Sequence, residues 1–208
     1  MIRSAASQFR WANLLTYLSV SAAAAGVALT NGPATRSWAG AAIAISVALD
    51  LFDGRFARLF RRTKDEERVG VEIDSLADVI AFGLAPAVCM FRVAATDPST
   101  RLVLLAAAIF YLVCIVTRLA HFNVFQAGTG GFIGLPSNVT GLICAVLLLW
   151  VPGPMLTGAV LVLEGAAAVA GFRIPRPNRV VLYLLLAISV CLAAIHVARL
   201  LASNRLFS

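Results

Sequence analysis

Residues 39–91 read AGAAIAISVALDLFDGRFARLFRRTKDEERVGVEIDSLADVIAFGLAPAVCMF. Both flanks are hydrocarbon-like, yet Asp50, Asp53, Asp74 and Asp78 stand at their inner edges among a cluster of arginines. On a helix each residue advances about 100°, so with Asp50 at zero, Asp53 falls near about −60°, Ala57 near about −20°, Gly54 near about +40° and Arg58 near about +80°. These five share one face. Asp74 and Asp78, at i and i+4, share a face of the next helix. A short polar connection makes the two helices antiparallel neighbours, and the four carboxylates then converge at one membrane boundary.

The rest of the chain fixes the fold class. Of 208 residues, 61% are apolar and only 13% charged, which excludes an ordinary soluble domain. A membrane-crossing helix needs roughly 17–25 apolar residues. Such runs lie near 11–29, 38–60, 72–92, 101–122, 134–151, 153–171 and 180–202, with the pair 134–151 and 153–171 the shortest. The expectation is an all-α, polytopic transmembrane helical bundle of six core helices plus one more, a single membrane domain over 1–208. MIRSAASQFR is a charged start with no small-residue cleavage pattern after it, so Trp11–Leu29 reads as a retained helix.

The net charge of +7 raises the question of nucleic acid. With the N-terminus inside, Arg3, Arg10, Arg55, Arg58, Arg61, Arg62, Lys64, Arg68, Arg118, Arg173, Arg176 and Arg179 lie at the inner face. Arg36, Arg92, Arg101, Arg199 and Arg205 lie outside. Twelve of seventeen inside is membrane topology and affinity for anionic lipid or phosphate, so no nucleic-acid partner is needed. The polar connections RRTKDEERVG, QAGTGGFIGLPSN and RIPRPNR also fall inside, which points function to the cytoplasm, and a bacterial inner membrane is the expected location. Cys89, Cys114, Cys144 and Cys191 each sit alone in an apolar run and read as packing residues.

Four ionised carboxylates at the edge of hydrocarbon repel one another, and ionised groups in a low dielectric are costly. One or two hard divalent cations resolve the conflict, and oxygen-only ligands favour magnesium, manganese or calcium over zinc. Two such ions can clamp a diphosphate. Gly54 and Ala57 leave room for a bulky ligand against bare backbone, and Arg58 offers a guanidinium fork for phosphate or ribose. The structural alternative is that the aspartates pair with Arg55, Arg58 and Arg68. A third reading is a cation transporter, which should show related halves or broken helices near mid-bilayer.

The pattern Asp50, Asp53-Gly54, Ala57-Arg58, Gly70, Asp74, Asp78 resembles the signature of the CDP-alcohol phosphotransferases at every fixed position, with a slightly long spacer, Leu59 to Val69, placed in the polar connection. The resemblance implies that Asp50, Asp53, Asp74 and Asp78 hold two divalent cations, Mg2+ or Mn2+. It also implies that Asp78 doubles as the base for the acceptor hydroxyl, and that Gly54, Ala57, Arg58 and Gly70 belong to the CDP site. Asn13 and Thr16, in ANLLT, resemble the family's first-helix Asn-x-x-Thr and are candidate nucleotide contacts.

Within the family, EIDSLADVIAFGLAPA, RLAHFNV and FIGLPSN resemble the phosphatidylserine synthase branch from about Asn13 to Asn138. That implies transfer of a phosphatidyl group from CDP-diacylglycerol to L-serine, with membrane lipid around the protein and a second copy as a candidate partner. Another acceptor, such as glycerol phosphate or an inositol phosphate, is the rival. Two departures bear on this: His121 stands where the branch has Arg, and Asn138-Val139-Thr140 replaces Pro-Ala-Ala. Arg118, one turn before His121, is an alternative cation for the serine carboxylate; Asn123, Pro136 and Ser137 are expected beside the acceptor. Glu164 reads as an interhelical or oligomer contact, and His196 as a packing residue.

Overall fold

The computed structural model describes residues 9–126, 131–150, 153–175 and 177–205. Arg3, Arg176 and residues 127–130 of the glycine-rich connection lie outside these. The helices are α1 (Leu14–Leu29), entered through a 3₁₀ turn at Trp11–Asn13, α2 (Arg36–Ala57), α3 (Lys64–Asp78), α4 (Ala85–Ala94), α5 (Pro98–His121), α6 (Ser137–Leu147), α7 (Pro154–Val169) and α8 (Arg179–Arg205). A π-helical turn, Val79–Leu84, joins α3 to α4 in one rod from Lys64 to Ala94, and a second, Phe122–Gln126, extends α5. The protein is an integral membrane helical bundle: α1, α2, α3–α4, α5 and α8 are long and apolar enough to cross a bilayer.

Two expectations change. The connection RRTKDEERVG is not a loop throughout, because α3 starts at Lys64. Thr63 caps that start, accepting from the Glu66 amide at 3.4 Å, while Glu66 Oε2 accepts from the Thr63 amide at 2.9 Å. Asp65, Glu66 and Glu67 fill the first turn, where the helix dipole favours negative charge. Glu66, buried, also pairs with Arg10 at 2.6 Å, which ties α3 to the start of the chain. The second change is the expected span 134–151. α6 covers 11 residues, about 16 Å at 1.5 Å per residue, because Pro136 has no amide to donate and Gly134 (φ +76°) turns the backbone through the left-handed region ahead of it.

Packing centres on α2, which touches α1, α6 and α8. Small residues let α1 and α2 approach closely: Ser46 Oγ donates to the Ser19 carbonyl at 2.9 Å, and Ser19 Oγ to that of Ser46 at 3.4 Å. On α8, fully buried His196 lies across Gly40 of α2 with Nε2 3.0 Å from the Ala145 carbonyl of α6, the packing role its sequence context suggests. Glu164 is likewise an interhelical contact, accepting from Cys144 Sγ at 3.5 Å. At the helix ends away from the aspartates, arginines cap carbonyls: Arg92 donates to those of Val27 (2.5 Å) and Thr30 (3.0 Å), and Arg199 to that of Leu149. At the other end β1 (Gly131–Ile133) and β2 (Arg173–Pro175) form an antiparallel ribbon with Phe132 opposite Ile174, so part of RIPRPNR is strand rather than loop.

The π turn has a local cause. Pro86 has no N–H to offer the carbonyl of Phe82 four residues earlier. Tyr111 of α5, fully buried, supplies the missing donor at 2.5 Å and lies 2.9 Å from the Thr140 hydroxyl of α6. The rod thus changes its helical register one residue after Asp78.

Candidate active site

α2 and α3, antiparallel across the short connection at 58–63, bring all four aspartates together. Asp50, Asp74 and Asp78 each present an oxygen, all within 4.8 Å of one another. Asp53 lies against Asp74, and Asp50 against Asp78. Neutral donors reach three of the four carboxylates. Thr16 Oγ1 donates to Asp53 at 3.1 Å, Ser137 Oγ to Asp78 at 3.3 Å and Asn138 Nδ2 to Asp50 at 3.2 Å.

Among the described residues no ion pair links these carboxylates to Arg55, Arg58 or Arg68; Arg55 instead lies over the Tyr183 ring, 5.7 Å from its centroid. Half-buried carboxylates crowded together, with the charge of Arg118 reaching only Asp50 and Asp78 among them and with oxygen alone on offer, fit a hard divalent cation. The alternative of aspartate–arginine pairing at the membrane edge does not fit this arrangement.

A groove of about 230 Å³ opens on the Asp53–Asp74 side of the cluster, walled by Asn13, Thr16, Gly54, Ala57, Arg58 and Gly70. Every residue expected beside the nucleotide therefore meets in one cavity. Gly54 faces open space: a Cβ added there would have no neighbour within 4 Å, whereas a Cβ at Gly70 would come within 3.1 Å of Arg62 Nη1 and 3.5 Å of Asn13 Oδ1. Arg62 also lines the groove. Its sequence context speaks only to membrane topology, since its proximity to Gly70 depends on the turn at 58–63.

Beyond Asp78 the wall changes character. Arg118 is buried on α5, donates from Nη1 to Ser137 Oγ at 3.3 Å, and lies 5.4 Å and 5.9 Å from the ring centroids of Phe122 and Phe132. Its Nε is buried without a hydrogen-bond partner, and a buried unsatisfied donor is uncommon. Pro136 precedes Ser137 at the start of α6, and Asn123 donates to Ser75 Oγ at 2.7 Å, next in sequence to Asp74. His121, the last residue of α5, is exposed, with its ring 4.9 Å from that of Phe125. Asn138, noted in the sequence only as a departure, is in direct contact with Asp50.

A family model for CDP-alcohol phosphatidyltransferase matches residues 9–174, which contain all of these groups. The chain belongs to the CDP-alcohol phosphatidyltransferase family. It is similar to proteins named CDP-diacylglycerol–serine O-phosphatidyltransferase in Methanocaldococcus jannaschii (31% identity, 74% of this chain and 72% of the relative), Mycobacterium leprae (41%, 51% and 39%) and Bacillus subtilis (37%, 52% and 58%). The latter two matches cover under two thirds of those relatives' own lengths. As a CDP-alcohol phosphatidyltransferase, this chain is a membrane-embedded phosphotransferase whose aspartate cluster adjoins a groove on one side and a caged arginine on the other.

Proposed function

We propose that this CDP-alcohol phosphatidyltransferase moves a phosphatidyl group from CDP-diacylglycerol to the hydroxyl of L-serine, releasing CMP, from a site facing the cytoplasm of a bacterial cell. The observation that carries this reading is the position of the aspartate cluster between a nucleotide-sized groove and a buried arginine with a donor to spare.

Asp50, Asp53, Asp74 and Asp78 would hold two divalent cations, Mg2+ or Mn2+, whose chemistry is to neutralise and orient a diphosphate. Asn13, Thr16, Gly54, Ala57, Arg58 and Gly70 receive the cytidine and its phosphates, while the acyl chains remain in the bilayer. Arg118 takes the serine carboxylate through its guanidinium, next to Ser137, which itself bonds Asp78. Asp78 accepts the serine hydroxyl proton; the oxygen attacks the phosphorus on the lipid side, forming the new P–O bond as the bond to the CMP oxygen breaks.

The test is purified protein with CDP-diacylglycerol and a panel of labelled alcohols, scored for CMP release and lipid product. Serine-dependent CMP release with phosphatidylserine as product is expected. CMP release that depends on another alcohol and not on serine would retain the chemistry and reject the acceptor.

A further inference from the structure

The three donors at the start of α6 have a pattern that the nucleotide and acceptor sites do not require. Asn138 reaches across to α2 and binds Asp50, while its neighbour Ser137 reaches to α3 and binds Asp78. One turn of one helix therefore holds a carboxylate from each of two others. The same turn is itself held. Thr140 Oγ1 donates to the Ser137 carbonyl at 2.7 Å and meets the Tyr111 hydroxyl at 2.9 Å, and Tyr111 donates to the Phe82 carbonyl in the π turn after Asp78. Thr140 is fully buried, and Gly141 permits the approach, since a Cβ there would lie 2.8 Å from the Phe82 ring.

Asn138 and Thr140 are two of the positions at which this chain departs from the Pro-Ala-Ala of the branch it resembles, and neither proline nor alanine could make these side-chain bonds. We infer that the first turn of α6 is a positioning clamp, with Asn138 its principal residue, that sets the gap between Asp50 and Asp78 and so the affinity of the cluster for a divalent cation. Each bond engages one carboxylate oxygen and leaves the other for an ion. Held in this way, the carboxylates lose less rotamer freedom when they bind, and donors behind metal ligands typically account for about 10–100-fold in affinity. This inference rests on the ion-binding reading of the cluster.

The experiment measures Mn2+ binding by electron paramagnetic resonance to chelator-stripped full-length protein in detergent, without substrate, and records thermal unfolding of the ion-free protein in parallel. Wild type should bind saturably. Asn138→Ala should weaken binding by about 10-fold or more while the ion-free unfolding midpoint stays close to wild type. Thr140→Val should act in the same direction and Thr140→Ser should restore affinity, so the pair decides the matter if Asn138→Ala does not fold. Saturable wild-type binding with both variants within about twofold overturns the clamp alone. A lowered unfolding midpoint with unchanged Mn2+ affinity also overturns it, as it would make α6 a packing element. Absence of saturable binding to wild type removes the ion reading, and the clamp with it.

Discussion

Arg118→Ala separates acceptor recognition from the rest of the reaction. The guanidinium is buried beside the stacked rings of Phe122 and Phe132 and bonded to Ser137 through Nη1, so its orientation is fixed in advance. A hydrogen bond to a charged group contributes about 1.5–3 kcal/mol, and each 1.4 kcal/mol is about tenfold in affinity. Removal should therefore raise the serine KM roughly 10- to 150-fold. The KM for CDP-diacylglycerol should stay within about twofold, because the groove lies on the far side of the aspartates. The assay is CMP release with serine titrated at saturating lipid substrate, then the converse. Arg118→Lys should fall between, since lysine retains the charge but not the planar fork. His121→Arg should leave the serine KM unchanged, because that side chain is exposed whereas Arg118 is buried. A serine KM within about twofold of wild type in Arg118→Ala, or an equal rise for both substrates, would refute the reasoning.

Asp78→Asn should leave the protein folded and lower kcat by about 10²–10⁴, the usual contribution of positioned proton transfer; single-turnover CMP release measures it, and a loss below about tenfold rejects Asp78 as base. Gly54→Leu should abolish CDP-diacylglycerol binding in a pull-down or calorimetric titration with no loss of fold, because the new side chain enters open groove space and meets no protein atom at its Cβ. Chelation with EDTA should remove activity, and Mg2+ or Mn2+ but not monovalent salt should restore it. Gly40→Ala should lower the thermal midpoint, since the added Cβ would sit 2.6 Å from His196 Cδ2 and closer still to Cε1 and Nε2 of the ring; overpacking of this kind costs about 1–3 kcal/mol, and an unchanged midpoint would show that α8 can shift freely.

The aspartates are legible in the sequence because their function depends on spacing along two helices, which periodicity exposes directly. The groove residues follow from the same two faces and from α1. Position 121 is marked in the sequence only as a departure in residue type, and the exposure of its side chain at the end of α5 is not legible there. Asn138, Thr140 and Tyr111 cannot be joined from sequence: they lie on two helices, Asn138 bonds Asp50 on a third, and Tyr111 meets Thr140 while donating to a carbonyl freed by Pro86. The ribbon is hidden for a similar reason. Three-residue strands separated by two helices show no alternation, and Gly and Pro near them argue for turns. The extra two turns of α3 are written plainly in the Thr63–Glu66 capping box, but the density of charge there looks like a solvated connection.

The β1–β2 ribbon also imposes an order of assembly. A chain emerging from its N-terminus has its four metal-type carboxylates by residue 78 and Arg118 forty residues later, yet the aromatic cage is incomplete at that point. Phe132 sits on Arg118 from a strand whose partner is residues 173–175, and the Gly134 and Leu135 amides donate to the carbonyls of Phe172 and Ala167 at 2.9 Å each. Both α6 and α7 must be made, and residues 167–175 folded back against β1 and the residues after it, before that strand is pinned. During biogenesis the wall around Arg118 is thus the last part of the centre to be completed, and a nascent chain stalled before α7 carries the carboxylates without Phe132 pinned beside Arg118.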